Sequence, residues 1–235
     1  MQLNFAAREV AIKLVYYGPA LSGKTTNLKA LHELSSDASR GRLMTLETKD
    51  DRTLFFDMLP LVFRTEGESG MSLRVKVFTV PGQVVHASTR RLVLQGADGV
   101  VFVADSQCDE TENNAASFLD LRANLKALGR SMSEIPLVIQ FNKRDMPKVR
   151  SDEEIDELAR RGKEPVYKAS AVNGTGVLEA FFGLLDISWR RLETDHDLSK
   201  KLGISPDEFL DKAASSLGYA GKAQAFSRAA VGGRR

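Results

Sequence analysis

The chain has 235 residues, 43% hydrophobic and 27% charged, with a formal net charge of +2. That balance suits one large globular domain, or one domain with an appendage, and gives no electrostatic case for nucleic acid or a membrane surface as a partner. The one cysteine, Cys108, excludes an internal disulfide and a cysteine-built zinc cage.

Residues 10–17, VAIKLVYY, read as a strand ending at Gly18, and residues 24–33 read as a helix. Between them GPALSGKT, residues 18–25, fits the phosphate-loop pattern G-x-x-x-x-G-K-[ST] in the strand-to-helix setting that the pattern needs. In such a loop backbone N–H groups and a helix N-terminus face phosphate oxygens. Gly18, Ala20, Leu21, Ser22, Gly23, Lys24, Thr25 and Thr26 are therefore candidate nucleotide contacts. Lys24 is placed to reach the outer phosphates and the Thr25 hydroxyl to bind Mg²⁺. Residues 41–47 read as a second strand.

TEGESG, residues 65–70, supplies turn chemistry before SLRVKVF, residues 72–78, which alternates apolar and basic side chains as a strand with one wet face does. TVPGQ follows. A nucleotide switch would carry a Mg²⁺-holding aspartate at its first position and a glutamine at its last. Gly82 and Gln83 are present, but Thr79 stands where the aspartate would be.

GVVFVAD and PLVIQFN, residues 99–105 and 136–142, are near-continuous apolar runs suited to strands buried on both faces. Phe118, Leu121, Leu125 and Leu128 mark a helix between them. NKRD, residues 142–145, closes the second run, at the strand end where a purine would lie. There Asp145 can accept from guanine N1–H and the exocyclic amine, Asn142 can bond the base and tie loops together, and the Lys143 stem can stack on the ring. KASA, residues 168–171, adds Ser170 as a buttress and the Ala171 N–H as a donor to the guanine oxygen. A polar helix over 152–160 and a longer one over 177–192 complete an α/β alternation. The class is a phosphate-loop NTPase with a mostly parallel, doubly wound sheet flanked by helices.

The pattern changes after Thr194, so residues 1–194 are read as the nucleotide-binding domain and 195–235 as a C-terminal extension. SPDE opens a short amphipathic helix over about 205–217. Beyond Gly218, Lys222, Arg228, Arg234 and Arg235 with no acid suggest a disordered basic tail. His32, His86 and His196 are too scattered for a metal site, and Cys108 reads as a partly buried or idle thiol. With no apolar run near the roughly 18 residues of a spanning helix, the expectation is a cytoplasmic protein without an integral membrane segment.

GPALSGKTTN, DRTLFFDMLP, TVPGQ, GVVFVADSQ and QFNKRDMP together resemble the bacterial Ras-like gliding-motility GTPases of the MglA type, over roughly residues 5–194. The resemblance implies a Ras-like fold and a GTP/GDP switch with Mg²⁺, sorted to a cell pole, that sets polarity and motility direction through GTP-dependent effectors. It also implies a GTPase-activating partner of the MglB (roadblock) type.

Within DRTLFFD, Thr53 resembles the threonine that senses Mg²⁺ and the γ-phosphate, and Arg52 resembles a built-in arginine finger. Gln83 resembles the glutamine that orients the attacking water, and the Gly82 N–H would meet the γ-phosphate. Leu54, Phe55 and Phe56 are either core plugs or an apolar face revealed by switching; Asp57 is a candidate to hold the loop or join the Mg²⁺ shell. Ala20 departs from the family, which has Gly there. Its Cβ would crowd Gln83 or Arg52, so the expected intrinsic turnover is slow and dependent on a partner. A static, non-hydrolysing GTP/GDP module remains the alternative, supported by Ala20. An ATP-dependent small-molecule kinase is a third reading, against which NKRD argues.

Overall fold

The computed structural model describes residues 1–4, 9–46, 56–64, 72–83 and 86–232. The strands are β1 (Gln2–Asn4), β2 (Glu9–Tyr17), β3 (Met44–Leu46), β4 (Phe56–Arg64), β5 (Ser72–Thr79), β6 (Gly99–Asp105), β7 (Leu137–Asn142) and β8 (Val166–Lys168). The helices are α1 (Lys24–Leu34), α2 (Ala87–Leu94), α3 (Thr111–Ala127), α4 (Asp152–Arg161), α5 (Val177–His196), α6 (Leu198–Leu202), α7 (Pro206–Ser216) and α8 (Ala223–Arg228).

The strands form one sheet in the order β3-β4-β5-β2-β6-β7-β8, with β1 antiparallel to β2. From β5 to β8 neighbours are parallel; β3–β4 and β4–β5 are antiparallel. The doubly wound sheet expected from the α/β alternation is therefore present. All seven residues of β6 are buried, as its unbroken apolar run requires at the centre of a sheet covered on both faces. Ile12, Leu14 and Tyr16 of β2 enter one core with α1 and α5. Val15 and Tyr17 enter the other, with α2, α3 and α4. In β5, Leu73, Val75, Val77 and Thr79 are buried while the alternate residues are half-buried, matching the period-2 reading.

Strand β4 escaped the sequence reading, which assigned no strand between residues 47 and 72. Pro60 stands in its middle, where a proline ordinarily interrupts a strand. The register explains why it is tolerated. The Pro60 carbonyl accepts from the Gly41 N–H at 2.8 Å, so its backbone polar edge points away from β5 toward the loop leading to β3. The missing N–H therefore removes no bond from the β4–β5 ladder. Phe56, half-buried at the start of β4, lies with its ring centroid 5.9 Å from that of Phe78.

The residues after His196 join the first core instead of trailing from it. The Ser205 hydroxyl accepts from the Glu208 N–H to cap α7, as SPDE foretells. Phe209 then stacks on Trp189 of α5, centroids 3.6 Å apart and planes within 5°. The stretch beyond Gly218 was expected to be a disordered tail; within it Ala223–Arg228 form α8, and Phe226 stacks on Phe182 at 5.5 Å, while Arg234 and Arg235 lie outside the described residues. The Ala-, Gly- and Arg-rich composition obscured three anchors, Tyr219, Ala223 and Phe226, which supply enough apolar contact to order it.

Polar bonds add to the docking. Ser36 and Ser39 donate to the Ser216 carbonyl at 2.5 and 2.7 Å, and Tyr219 donates to the Leu34 carbonyl at 3.0 Å. Val231 exchanges two backbone bonds with Val166 on the outer edge of β8. Tyr167 donates to the Ser227 carbonyl at 2.8 Å, crossing α5 where Gly183 has no side chain: a Cβ there would lie 1.8 Å from the Tyr167 hydroxyl.

Phe209→Ala is expected to destabilise the whole domain by about 3–5 kcal/mol, the cost of emptying a buried aromatic site. Urea unfolding monitored by circular dichroism checks this; a loosely hung extension would leave the midpoint unchanged.

Candidate functional site

Strand β2 delivers the phosphate loop and α1 receives it. Lys24, the first residue of α1, is buried, and its ammonium donates to the carbonyls of Gly18 and Pro19 at 3.0 and 2.5 Å. Burial, helped by repulsion from the Arg90 guanidinium, pushes its pKa down to about 7. Leu21 is exposed and holds a left-handed φ of 61°, which a branched side chain adopts at a cost. Lys143 in NKRD does the same at φ 66°. Non-glycine residues in that region concentrate at ligand sites, and nothing in their residue types announces it.

The vacancy left by Thr79 is filled from the neighbouring strand. Thr79 and Asp57 are register partners across β4–β5, since Met58 pairs with Phe78. The Asp57 N–H donates to the Thr79 hydroxyl oxygen at 2.9 Å, and that hydroxyl donates to the Asp57 carboxylate at 3.1 Å. The same carboxylate accepts from the Thr25 hydroxyl at 2.6 Å and the Thr45 hydroxyl at 2.8 Å. One carboxylate with three hydroxyls, the Thr25 hydroxyl among them, is a hard oxygen set of the kind that Mg²⁺ prefers.

Gly82 lies directly against the phosphate loop. A Cβ on it would fall 2.4 Å from the Ala20 nitrogen, so only glycine permits this approach. Lys24, Thr25, Asp57, Thr79, Gly82 and Gln83 line one cavity of about 520 Å³. Gln83 is exposed at its rim. Arg52 and Thr53, the expected finger and switch threonine, lie outside the described residues, as do Leu54 and Phe55.

At the far end of the phosphate loop, Asn142 at the tip of β7 donates to the Ser22 carbonyl at 2.8 Å and accepts from the Ala171 N–H at 2.9 Å. It thus ties three loops together. The Ala171 N–H, expected to face the base, is engaged by Asn142, at the start of a single 3-10 turn over residues 171–173. Ser170 donates to the exposed Asp145 carboxylate at 2.5 Å, the buttress expected of it. Lys143 pairs with the buried Asp105 carboxylate at 2.6 Å. Asp145 and Ser170 line a second cavity of about 420 Å³. Cys108 is exposed, not partly buried, because it opens a short turn after β6 and faces solvent.

Thr79→Asp would set a second carboxylate against Asp57 and remove the hydroxyl that donates to the Asp57 carboxylate. We expect a loss of roughly 2–4 kcal/mol in stability from like-charge repulsion in a buried site. Adding Asp57→Asn should recover most of it. Chemical unfolding of the three variants is the check, and additive losses would contradict the pairing.

No protein-family model matches the chain. Among curated proteins, the mutual gliding-motility protein MglA of Myxococcus xanthus is 46% identical over 178 residues, covering 75% of this chain and 90% of that protein. The Ras-related protein Rab-27A of rat is 26% identical over 197 residues, covering 80% of this chain and 83% of that protein, and the mouse protein matches to the same extent. No helix among the described residues is long and apolar enough to cross a membrane. The sheet order, the phosphate loop and the extent of the identity to MglA agree: the chain belongs to the MglA family of bacterial Ras-like small GTPases.

Proposed function

We propose that the chain is a GTP-hydrolysing molecular switch of the MglA type, acting in bacterial cell polarity and motility through effectors that bind its GTP form. The observation that carries the reading is the tie through Asn142. It joins the phosphate loop to the NKRD and KASA loops, so a triphosphate and a guanine base are gripped by one connected frame. Asp145 reads guanine by its N1–H and amine; adenine would leave that carboxylate unanswered, and sites of this kind discriminate by about 10⁴–10⁵.

Lys24 binds the outer phosphates and the Gly82 N–H meets the γ-phosphate. Gln83 orients the attacking water, while Arg52 brings positive charge to the transferring phosphoryl group. Thr25, Thr53 and Asp57 would hold Mg²⁺, which when bound would neutralise charge on the phosphate oxygens. Loss of the γ-phosphate frees the loops of Thr53 and Gly82, and that release is the switch. An MglB-type roadblock protein is the expected activator, and enrichment at a cell pole the expected location. Residues 1–194 form the switch domain, with 195–235 as an extension built onto it. Neither nucleic acid nor an integral membrane segment enters this reading.

Guanine-against-adenine nucleotide competition, followed by single-turnover hydrolysis with and without a roadblock activator, tests the reading. Preference for ATP would overturn it, as would GTP left intact with the activator present. Arg52→Ala should retain GTP binding and lose roughly 10³-fold or more in activated hydrolysis; unchanged catalysis would remove Arg52 from the mechanism.

The depressed pKa of Lys24 has a measurable sign. At pH 8 the amine of the nucleotide-free protein is mostly neutral, since its pKa is about 7. Phosphate binding favours the charged form, so nucleotide binding at pH 8 takes up close to one proton, and the uptake fades as pH falls below 7. Calorimetric titration in two buffers of different ionisation enthalpy reads the proton count directly.

A further inference from the structure

Arg90 sits on the first turn of α2 and is only 4% exposed, an uncommon place for a guanidinium. It faces two ways. Nη1 donates to the Gln83 carbonyl at 2.5 Å and reaches the Pro81 carbonyl at 3.5 Å. Nε and Nη2 donate to the Asp120 carboxylate of α3 at 2.8 and 3.4 Å. One rigid, planar group therefore grips both residues that flank Gly82 and anchors them to a helix on the far side of the loop.

The anchor is itself fixed. Asp120 also accepts from the Tyr17 hydroxyl and from Asn124 Nδ2, and Asn124 donates a further bond to the Tyr17 oxygen. Tyr17 is the last residue of β2, immediately before Gly18. The chain of contacts thus runs from the root of the phosphate loop, through Tyr17, Asp120 and Arg90, to the backbone on either side of Gly82. The Arg90 charge also contributes to the lowered pKa of Lys24, which puts it within electrostatic reach of the phosphate loop.

We propose that Arg90 is a positioning residue for GTP hydrolysis: it sets where Gln83 and the Gly82 N–H stand relative to the phosphate loop, using Asp120 and Tyr17 as a common reference. The proposal rests on the reading of Gln83 as the water-orienting residue. A glutamine acts on water only when placed against a phosphate held elsewhere, and a misplacement of about 1 Å costs roughly 10²-fold in rate. Fastening both loops to one half-buried, multiply bonded carboxylate removes that error. A mere strut between α2 and α3 would need the contact to Asp120 but not those to the two loop carbonyls.

The test uses the full chain loaded with GTP and Mg²⁺, with a roadblock activator, comparing wild type, Arg90→Met, Gln83→Ala and the double variant. Methionine keeps much of the buried volume, and Asp120 keeps Tyr17 and Asn124 as donors. Arg90→Met should slow single-turnover hydrolysis about 10- to 100-fold while GTP affinity moves less than about threefold. Amide exchange across residues 79–83 should quicken. In the Gln83→Ala background Arg90→Met should cost much less than it does in wild type, because the part of its effect that acts through the glutamine is already lost.

Asp120→Asn, which loosens the same anchor, should move rate and exchange in the same direction and serves if Arg90→Met does not fold. A full additional loss on top of Gln83→Ala overturns the proposal, as does an unchanged rate or a loss explained by weaker GTP binding. If wild type itself fails to hydrolyse GTP, the reading of Gln83 falls and takes this role with it. Unaltered exchange in a hydrolysing protein removes the positioning alone.

Discussion

The Asp57 carboxylate reaches the phosphate loop from β4, the antiparallel neighbour of the strand that ends in Thr79. Register pairing decides which chemistry is possible. Two residues directly opposite on adjacent strands share one small volume, and in a buried volume two carboxylates repel. With the acid on β4, β5 must offer a neutral partner that both accepts and donates, and a threonine hydroxyl does both. The strand that contributes the carboxylate is also the one whose N-terminal end continues toward Thr53 and Arg52. Asp57 thus stands only a few residues along the chain from Thr53 and Arg52.

Most of the parallel sheet was legible because its strands are buried on both faces and read as unbroken apolar runs. The phosphate loop, TVPGQ and NKRD were legible because their backbone demands restrict the residues allowed. Strand β4 was hidden because a proline ordinarily excludes a sheet interior, and only the neighbouring loop reveals that Pro60 turns its backbone outward. Asp57 was named as a candidate for the Mg²⁺ shell, but its pairing with Thr79 was hidden with the strand, since register across an unrecognised strand cannot be counted. Arg90 gave no signal: among basic residues in an amphipathic helix, burial of one is decided by a helix some thirty residues further on. The tail after Gly218 misled because its composition suggested solvent while three apolar residues carried the packing.

Two frames meet around the phosphate loop. Asn142 braces it toward the NKRD and KASA loops, and Tyr17 with Asp120 and Arg90 braces its root toward Gly82. Behind α1, the extension holds the segment 36–41 through Ser216, and that segment in turn bonds Pro60 and Val62 of β4. The helix that follows the phosphate loop and the strand that carries Asp57 are thus fastened from the side remote from the nucleotide.

The passage of Tyr167 across α5 leaves a mark outside the extension itself. Glycine in the middle of a helix costs about 1 kcal/mol relative to alanine, so drift would normally replace it. Here any side chain at position 183 would evict the tyrosine, whose hydroxyl has its carbonyl partner only because the chain continues to Ser227. A homologue that stopped at its last domain helix would retain neither constraint. Glycine at that position opposite a tyrosine in the final strand is therefore a covariation signature, one that separates, from genome sequences alone, relatives with a docked extension from those whose ends are free to diverge.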